Sequence, residues 1–99
     1  MSVYLLMEFT CPKDEARNKK RLKHEVDWLY PYFEKKIKEG LKWKGLGLSD
    51  NTGRIVSLTT FETVEDFGKI WNDDEYKKGM VQLSYLVDNF TSRILREVI

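Results

Sequence analysis

A lone cysteine, Cys11, is all the thiol chemistry the chain holds, so no internal disulfide can form and no second cysteine completes a metal clip. A lone histidine, His24, leaves out His-x-x-x-His metal motifs. There is no glycine-rich phosphate loop, no Ser, His and Asp set with useful spacing, and no paired-carboxylate metal motif. Neither a metal, a cofactor nor triad chemistry is therefore expected. No apolar run approaches the ~20 residues that cross a bilayer, and residues 1–10 lack the basic start and small-residue cleavage site of a signal peptide, so a cytoplasmic chain without membrane partners is expected.

What is present suits a folded globule. Apolar residues make up 41%, and 33% of residues are charged in both signs, too apolar and too balanced for a disordered tail. Ninety-nine residues support one core, and no linker, low-complexity tract or repeat divides them, so residues 1–99 read as a single domain. The net charge of +1 hides an asymmetry: residues 1–49 carry 11 Lys and Arg against 7 Asp and Glu, residues 50–99 carry 6 against 9. The densest basic run, Lys19 to Lys23, sits in a helix-like pattern and reads as a solvated face; the overall charge does not point to nucleic acid.

Val3, Leu5, Met7 and Phe9 alternate with Tyr4, Leu6, Glu8 and Thr10, the period of two of a strand. Pro12 ends it, and Asp14 and Glu15 place negative charge at the start of a helix. Leu22, Val26, Leu29, Phe33 and Ile37 then recur at steps of three and four, which predicts a core-facing stripe on a helix running to Gly40, kinked at Pro31. Residues 41–48 and 54–61 flank Ser49 to Gly53 and predict a hairpin, with Gly45 and Gly47 marking a bulge or a close approach to the backbone. Thr63 and Asp66 approximate a capping box, and Asn72 to Asp74 offers a second cap that splits the following helix in two. Residues 90–99 alternate again and close the chain as a strand.

The order β, α, β, β, α, β predicts an α+β fold: a four-stranded antiparallel sheet with both helices on one face. Yet the strands are apolar on both faces, and the second face, assigned Tyr4, Leu6, Ile55 and alternate residues of 90–99, needs a cover. A second copy packed sheet to sheet is the simplest one, so a homodimer is expected.

With that order the chain resembles the dimeric α/β-barrel superfamily, in which two ferredoxin-like βαββαβ protomers join their sheets. The stretch Phe61 to Phe67, through Trp71 and on to Asn72 to Tyr76, is similar to the strand, helix, break and second helix of antibiotic-biosynthesis-monooxygenase-like members. The resemblance implies a fold shared by cofactor-independent monooxygenases, haem-binding and haem-degrading enzymes and proteins of no known activity. The haem-degrading pattern is missing, since residues 3–10 hold no Asn and His24 lies on the first helix. Other proteins of this fold are set aside on residues: no arginine-bearing loop as in acylphosphatase, no Cys-x-x-Cys as in metal chaperones, no aromatic RNP strand.

Eight residues are candidates for a site. Tyr4, Trp43, Trp71 and Tyr85 bring large apolar bodies, each with a polar tip, and suit a pocket as well as a core. Glu8, among apolar neighbours, needs a cation such as Arg93 or Arg96, or else serves as a base. His24, Trp28 and Tyr32, at steps of four, form an aromatic ridge on the helix side away from the apolar stripe, available to a ligand, a neighbouring element or a partner. Three functions compete: binding of a small apolar or aromatic molecule between sheet and helices, a cofactor-independent oxygenase with Glu8 as base, and an interaction domain without catalysis.

Overall fold

The computed structural model describes residues 2–98. Its centre is β1 (Val3–Thr10), flanked by β3 (Arg54–Phe61) and β4 (Asp88–Arg96), with β2 (Trp43–Ser49) outside β3. The order β2-β3-β1-β4 is antiparallel throughout, as the ferredoxin-like reading requires. Alternation along β1 sorts its side chains: Val3, Leu5 and Phe9 are buried and pack with Tyr32, Phe67, Ile70, Tyr76 and Leu83 of the helices, while Tyr4, Leu6 and Glu8 point to the other face. No helix of the described residues is long and apolar enough to cross a membrane.

Caps set the helix limits. Asp14 Oδ1 accepts from the N–H of Ala16 at 3.0 Å and opens α1 (Glu15–His24). Thr63 Oγ1 accepts from the N–H of Asp66 at 3.1 Å and opens α3 (Val64–Trp71). Asp73 caps α4 (Asp74–Tyr85), so the split at Asn72 to Asp74 is present. α2 (Tyr30–Lys38) ends in a Schellman motif: Leu41 N–H donates to Lys36 O, Gly40 N–H to Ile37 O, and Gly40 takes φ +101°, a conformation open to glycine. The closing strand starts at Asp88, two residues before the expected 90, and Asn89, at φ +52°, sits where the register with β1 slips by one residue. Ile99 lies outside the described residues.

Two expectations are corrected. Ile55 does not face outward: it pairs with Phe9 and packs in the Phe9, Leu83 and Val87 cluster, so Val56 takes the open face, because a shift of one residue exchanges faces in a strand. The helix stripe is also displaced. Leu22 and Val26 are 46% and 60% exposed and Arg21, Glu25, Trp28 and Tyr32 turn inward, whereas Leu29, Phe33 and the half-exposed Ile37 do border the space above the sheet. Between α1 and α2 the chain makes a π-helical turn, Glu25–Leu29, in which Tyr30 N–H donates to Glu25 O. The wider turn accommodates Pro31, which has no N–H, and breaks the 3.6-residue phase on which the stripe was read.

Candidate functional site

The helix side of the sheet bounds a cavity of about 670 Å³ between β1, β3 and β2 below and α1, the π turn and α2 above. Its floor is low because small residues face each other across the outer strands: Gly45 opposite Thr59, Gly47 opposite Ser57. A Cβ placed on Gly47 would meet nothing within 4 Å. One end is closed by aromatic rings, Phe33 against Trp43 at 4.6 Å between centroids, with Tyr76 beyond Phe33. The Trp43 Nε1–H is buried with no hydrogen-bond partner among the described residues, an uncommon state for an indole donor. Burial pushes the Tyr76 phenol up to about 12.

Three charged side chains line this largely apolar space: Glu34, which is exposed and pairs with Lys38 Nζ at 3.6 Å, and the buried Arg21 and Glu25. Arg21 and Glu25 are each 8% exposed, and they satisfy one another: Arg21 Nη1 donates to Glu25 Oε1 at 2.9 Å, and Arg21 Nε donates to Asn18 Oδ1 at 2.9 Å. The guanidinium also lies 5.8 Å from the centroid of the Phe9 ring. Sequence reasoning placed Arg21 on a solvated face and passed over Glu25. The signal was the spacing 21, 25, 28, 32: once Trp28 and Tyr32 turn inward, Arg21 and Glu25 share their face.

The expected site residues are dispersed. Trp43 alone is in the wall of the large cavity. Trp71 borders a smaller one, of about 280 Å³, under α3 and α4, separated from the first by Met7, Tyr76 and Met80, which line both. Tyr85 is 74% exposed, and it is its carbonyl that is used, accepting from Arg17 Nη2 at 3.0 Å. Tyr4 and Glu8 are on the opposite face of the sheet. The Tyr4 hydroxyl donates to Glu97 Oε1 at 2.6 Å, which raises its pKa, and Glu8 stands 4.0 Å from Arg93 Nη2, the ion pair foreseen for it.

The aromatic ridge forms but is not a surface. His24 stacks on Trp28 at 5.1 Å and Trp28 lies against Tyr32 at 5.4 Å, and all three press on α4. His24 Nε2–H donates to Gly79 O at 2.9 Å, and Trp28 rests on the glycine itself. Buried Tyr32 donates to Asp73 Oδ2 at 2.5 Å, with Lys36 Nζ 3.2 Å from the same oxygen. Burial and that carboxylate raise the Tyr32 pKa; in return, the Tyr32 hydroxyl first and Lys36 second hold the Asp73 carboxyl below its ordinary value. The ridge is thus the seam between the first helical stretch and α4, side by side on the sheet. Among the described residues no cluster of three or more His, Cys, Asp or Glu that could hold a metal is present.

No family model matches the chain, and no curated protein matches it. Solved structures do. A conserved protein from Methanosarcina mazei is similar over 98% of this chain and 93% of its own, with TM-score 0.67 and 13% identity. SnoaB, a cofactor-independent oxygenase from Streptomyces nogalater, is similar over 99% and 94%, with TM-score 0.61 and 11% identity. A dimeric ferredoxin-like protein from an uncultured marine organism is similar over 99% and 95%, with TM-score 0.60 and 13% identity. At such identities the likeness is one of fold: the chain has a ferredoxin-like fold.

Proposed function

We propose that this chain binds a small, largely apolar or aromatic molecule in the groove between sheet and helices, in the cytoplasm, and that it works as a homodimer. The observation that carries the reading is the cavity of about 670 Å³, apolar over most of its wall, with a few convergent polar groups and a floor kept low by Gly45 and Gly47. Its size is within the range of roughly 300–1,000 Å³ usual for small-molecule sites. The dimer is supported by the open sheet face, where Leu46, Leu58 and Leu6 lie side by side on neighbouring strands and Leu48 is next to Val56. Leu46 and Leu48 are exposed in the single chain, and an apolar patch of this kind is what a two-fold sheet-to-sheet contact buries. An oxygenase-like reaction draws only on likeness of fold to SnoaB, and Glu8, its expected base, is across the sheet from the cavity; binding is therefore the reading preferred.

The test is a thermal-shift screen of small aromatic and aliphatic molecules against wild type and Gly47→Phe. A ligand at 100 times its Kd stabilises the native state by about 2.7 kcal/mol. A hit should raise Tm in wild type and lose its effect in Gly47→Phe, which adds a ring at the cavity wall where a Cβ meets nothing within 4 Å. Hits that persist in Gly47→Phe, or a broad screen without any, would refute the assignment.

A further inference from the structure

The Arg21–Glu25 pair is only half used by the protein. Arg21 spends Nε on Asn18 and Nη1 on Glu25 Oε1, while Arg21 Nη2 and Glu25 Oε2 have no hydrogen-bond partner among the described residues. The only side-chain polar atom there that is both sealed from solvent and unpartnered is Trp43 Nε1, so Nη2 and Oε2 are reachable, and both residues line the cavity. An ion pair kept for stability alone needs no free donor and acceptor turned to an apolar space, and such pairs add little stability over apolar side chains of like size. What the pair offers a ligand is free N–H donors on Arg21 and a free carboxylate oxygen on Glu25, within one ion pair of zero net charge.

Resting on the binding reading above, we propose that the Arg21–Glu25 pair is the polar anchor of the cavity and selects an uncharged head group that donates and accepts at once, such as a primary amide, a lactam or an alcohol. Such a group takes a hydrogen bond from Nη2 and gives one to Oε2, leaving neither desolvated and unpaired. An anion drawn to Arg21 meets the Glu25 carboxylate beside it, and a cation drawn to Glu25 meets the guanidinium; like charges at close range in a poorly solvated site oppose both. A hydrocarbon fills the space but strands the two free polar atoms.

The experiment compares four probes on one ring system: naphthalene, 2-naphthamide, 2-naphthoate and 2-naphthylmethylammonium, titrated at pH 7 by NMR chemical-shift perturbation. In wild type the amide should bind about tenfold tighter than naphthalene and than either ion. In the double variant Arg21→Met, Glu25→Met, apolar side chains of similar length replace the whole pair and the fold should persist. Naphthalene should then still bind, and the preference for the amide should vanish. Glu25→Gln, which leaves the guanidinium without its counter-charge, should shift the preference to naphthoate, and this single variant decides the matter should the double one not fold. An ion that matches the amide in wild type, or an amide preference that survives loss of the pair, overturns the anchor while the cavity reading stands. Failure of both naphthalene and the amide to bind overturns the cavity reading and the anchor with it.

Discussion

Gly79 decides how closely α4 approaches the first helical stretch, and Gly79→Ala measures it. The residue is buried in the middle of α4, and a Cβ built there would come within 3.0 Å of Trp28 Cζ2, Cε2 and Cη2, whereas packed carbons sit ~3.5–4.0 Å apart. The ring would have to retreat, but it is held between His24 at 5.1 Å and Tyr32 at 5.4 Å. Overpacking of this kind costs about 1–3 kcal/mol. Displacing α4 also weakens the bond from His24 to Gly79 O, about 1 kcal/mol more, while alanine's better helix propensity returns about 1 kcal/mol. The net destabilisation is then about 2 kcal/mol, a fall in Tm of roughly 8–16 °C for a domain of this size. Gly68→Ala in α3 is the control, since its Cβ would meet only Asn72 Nδ2, at an ordinary 3.5 Å; there the propensity gain should raise Tm by roughly 4–8 °C. Thermal unfolding followed by circular dichroism reads both. If the two variants moved Tm in the same direction, the close approach of Trp28 to α4 would be wrong.

Three further outcomes follow from the same contacts. The Asp73 carboxyl, held low by Tyr32 and Lys36, adds stability that is present above the unfolded carboxylate value of ~3.9 and is lost as pH falls through its lower folded value. Asp73→Asn keeps a good cap and should flatten the acid side of the stability profile, read by urea unfolding below about pH 5; identical profiles would remove the assignment. Tyr76, raised to about 12, stabilises the neutral folded form, so its contribution is present below ~10 and lost as pH climbs from there to about 12; Tyr76→Phe should resist alkaline unfolding better than wild type. Leu6→Lys puts a charge at the β1 end of the Leu46, Leu58 and Leu6 row and should convert a homodimer burying about 1,200 Å² or more into monomer or aggregate in sedimentation. A wild-type monomer at micromolar concentration would refute the dimer.

Element order was legible because each boundary rests on a local device: Asp14, Thr63 and Asp73 as caps, Gly40 as a helix stop, and the turn of Asn51 and Gly53 with φ above zero. Faces were legible on β1, where eight residues alternate without interruption, and less so on β3, where Ile55 and Val56 are both apolar and only the register decides between them. The inward face of the first helix was not legible. Five apolar residues at helical spacing looked like its core stripe, but only Leu29, Phe33 and Ile37 border the space above the sheet, Trp28 and Tyr32 turn in against α4, and the π turn at Glu25–Leu29 has no sequence signal beyond the nearby Pro31. For the same reason the cavity-lining charges were missed: Arg21 within a run of four basic residues looks solvated until its neighbours on the helix face are known to be buried.

The large cavity is bounded by three features, each of which works against local stability. Glycines at 45 and 47 weaken β2, at roughly 0.5–1 kcal/mol each relative to alanine. The π turn forgoes regular α-helical hydrogen bonding over Glu25–Leu29. The buried Arg21–Glu25 pair carries a desolvation penalty that apolar residues would avoid. The last two share Glu25 and lie on one helical stretch, the glycines are on an edge strand distant in sequence, and the fold brings both places to the wall of one space. Independent departures from the stable choice, scattered at random, would not be expected to meet at a single place, and sites of function are where local rules are broken together. The same convergence explains why Trp43, the sole expected pocket residue in that wall, belongs there: it follows the helix stop at Gly40, starts β2, and closes the end of the cavity against Phe33 just where the glycines begin.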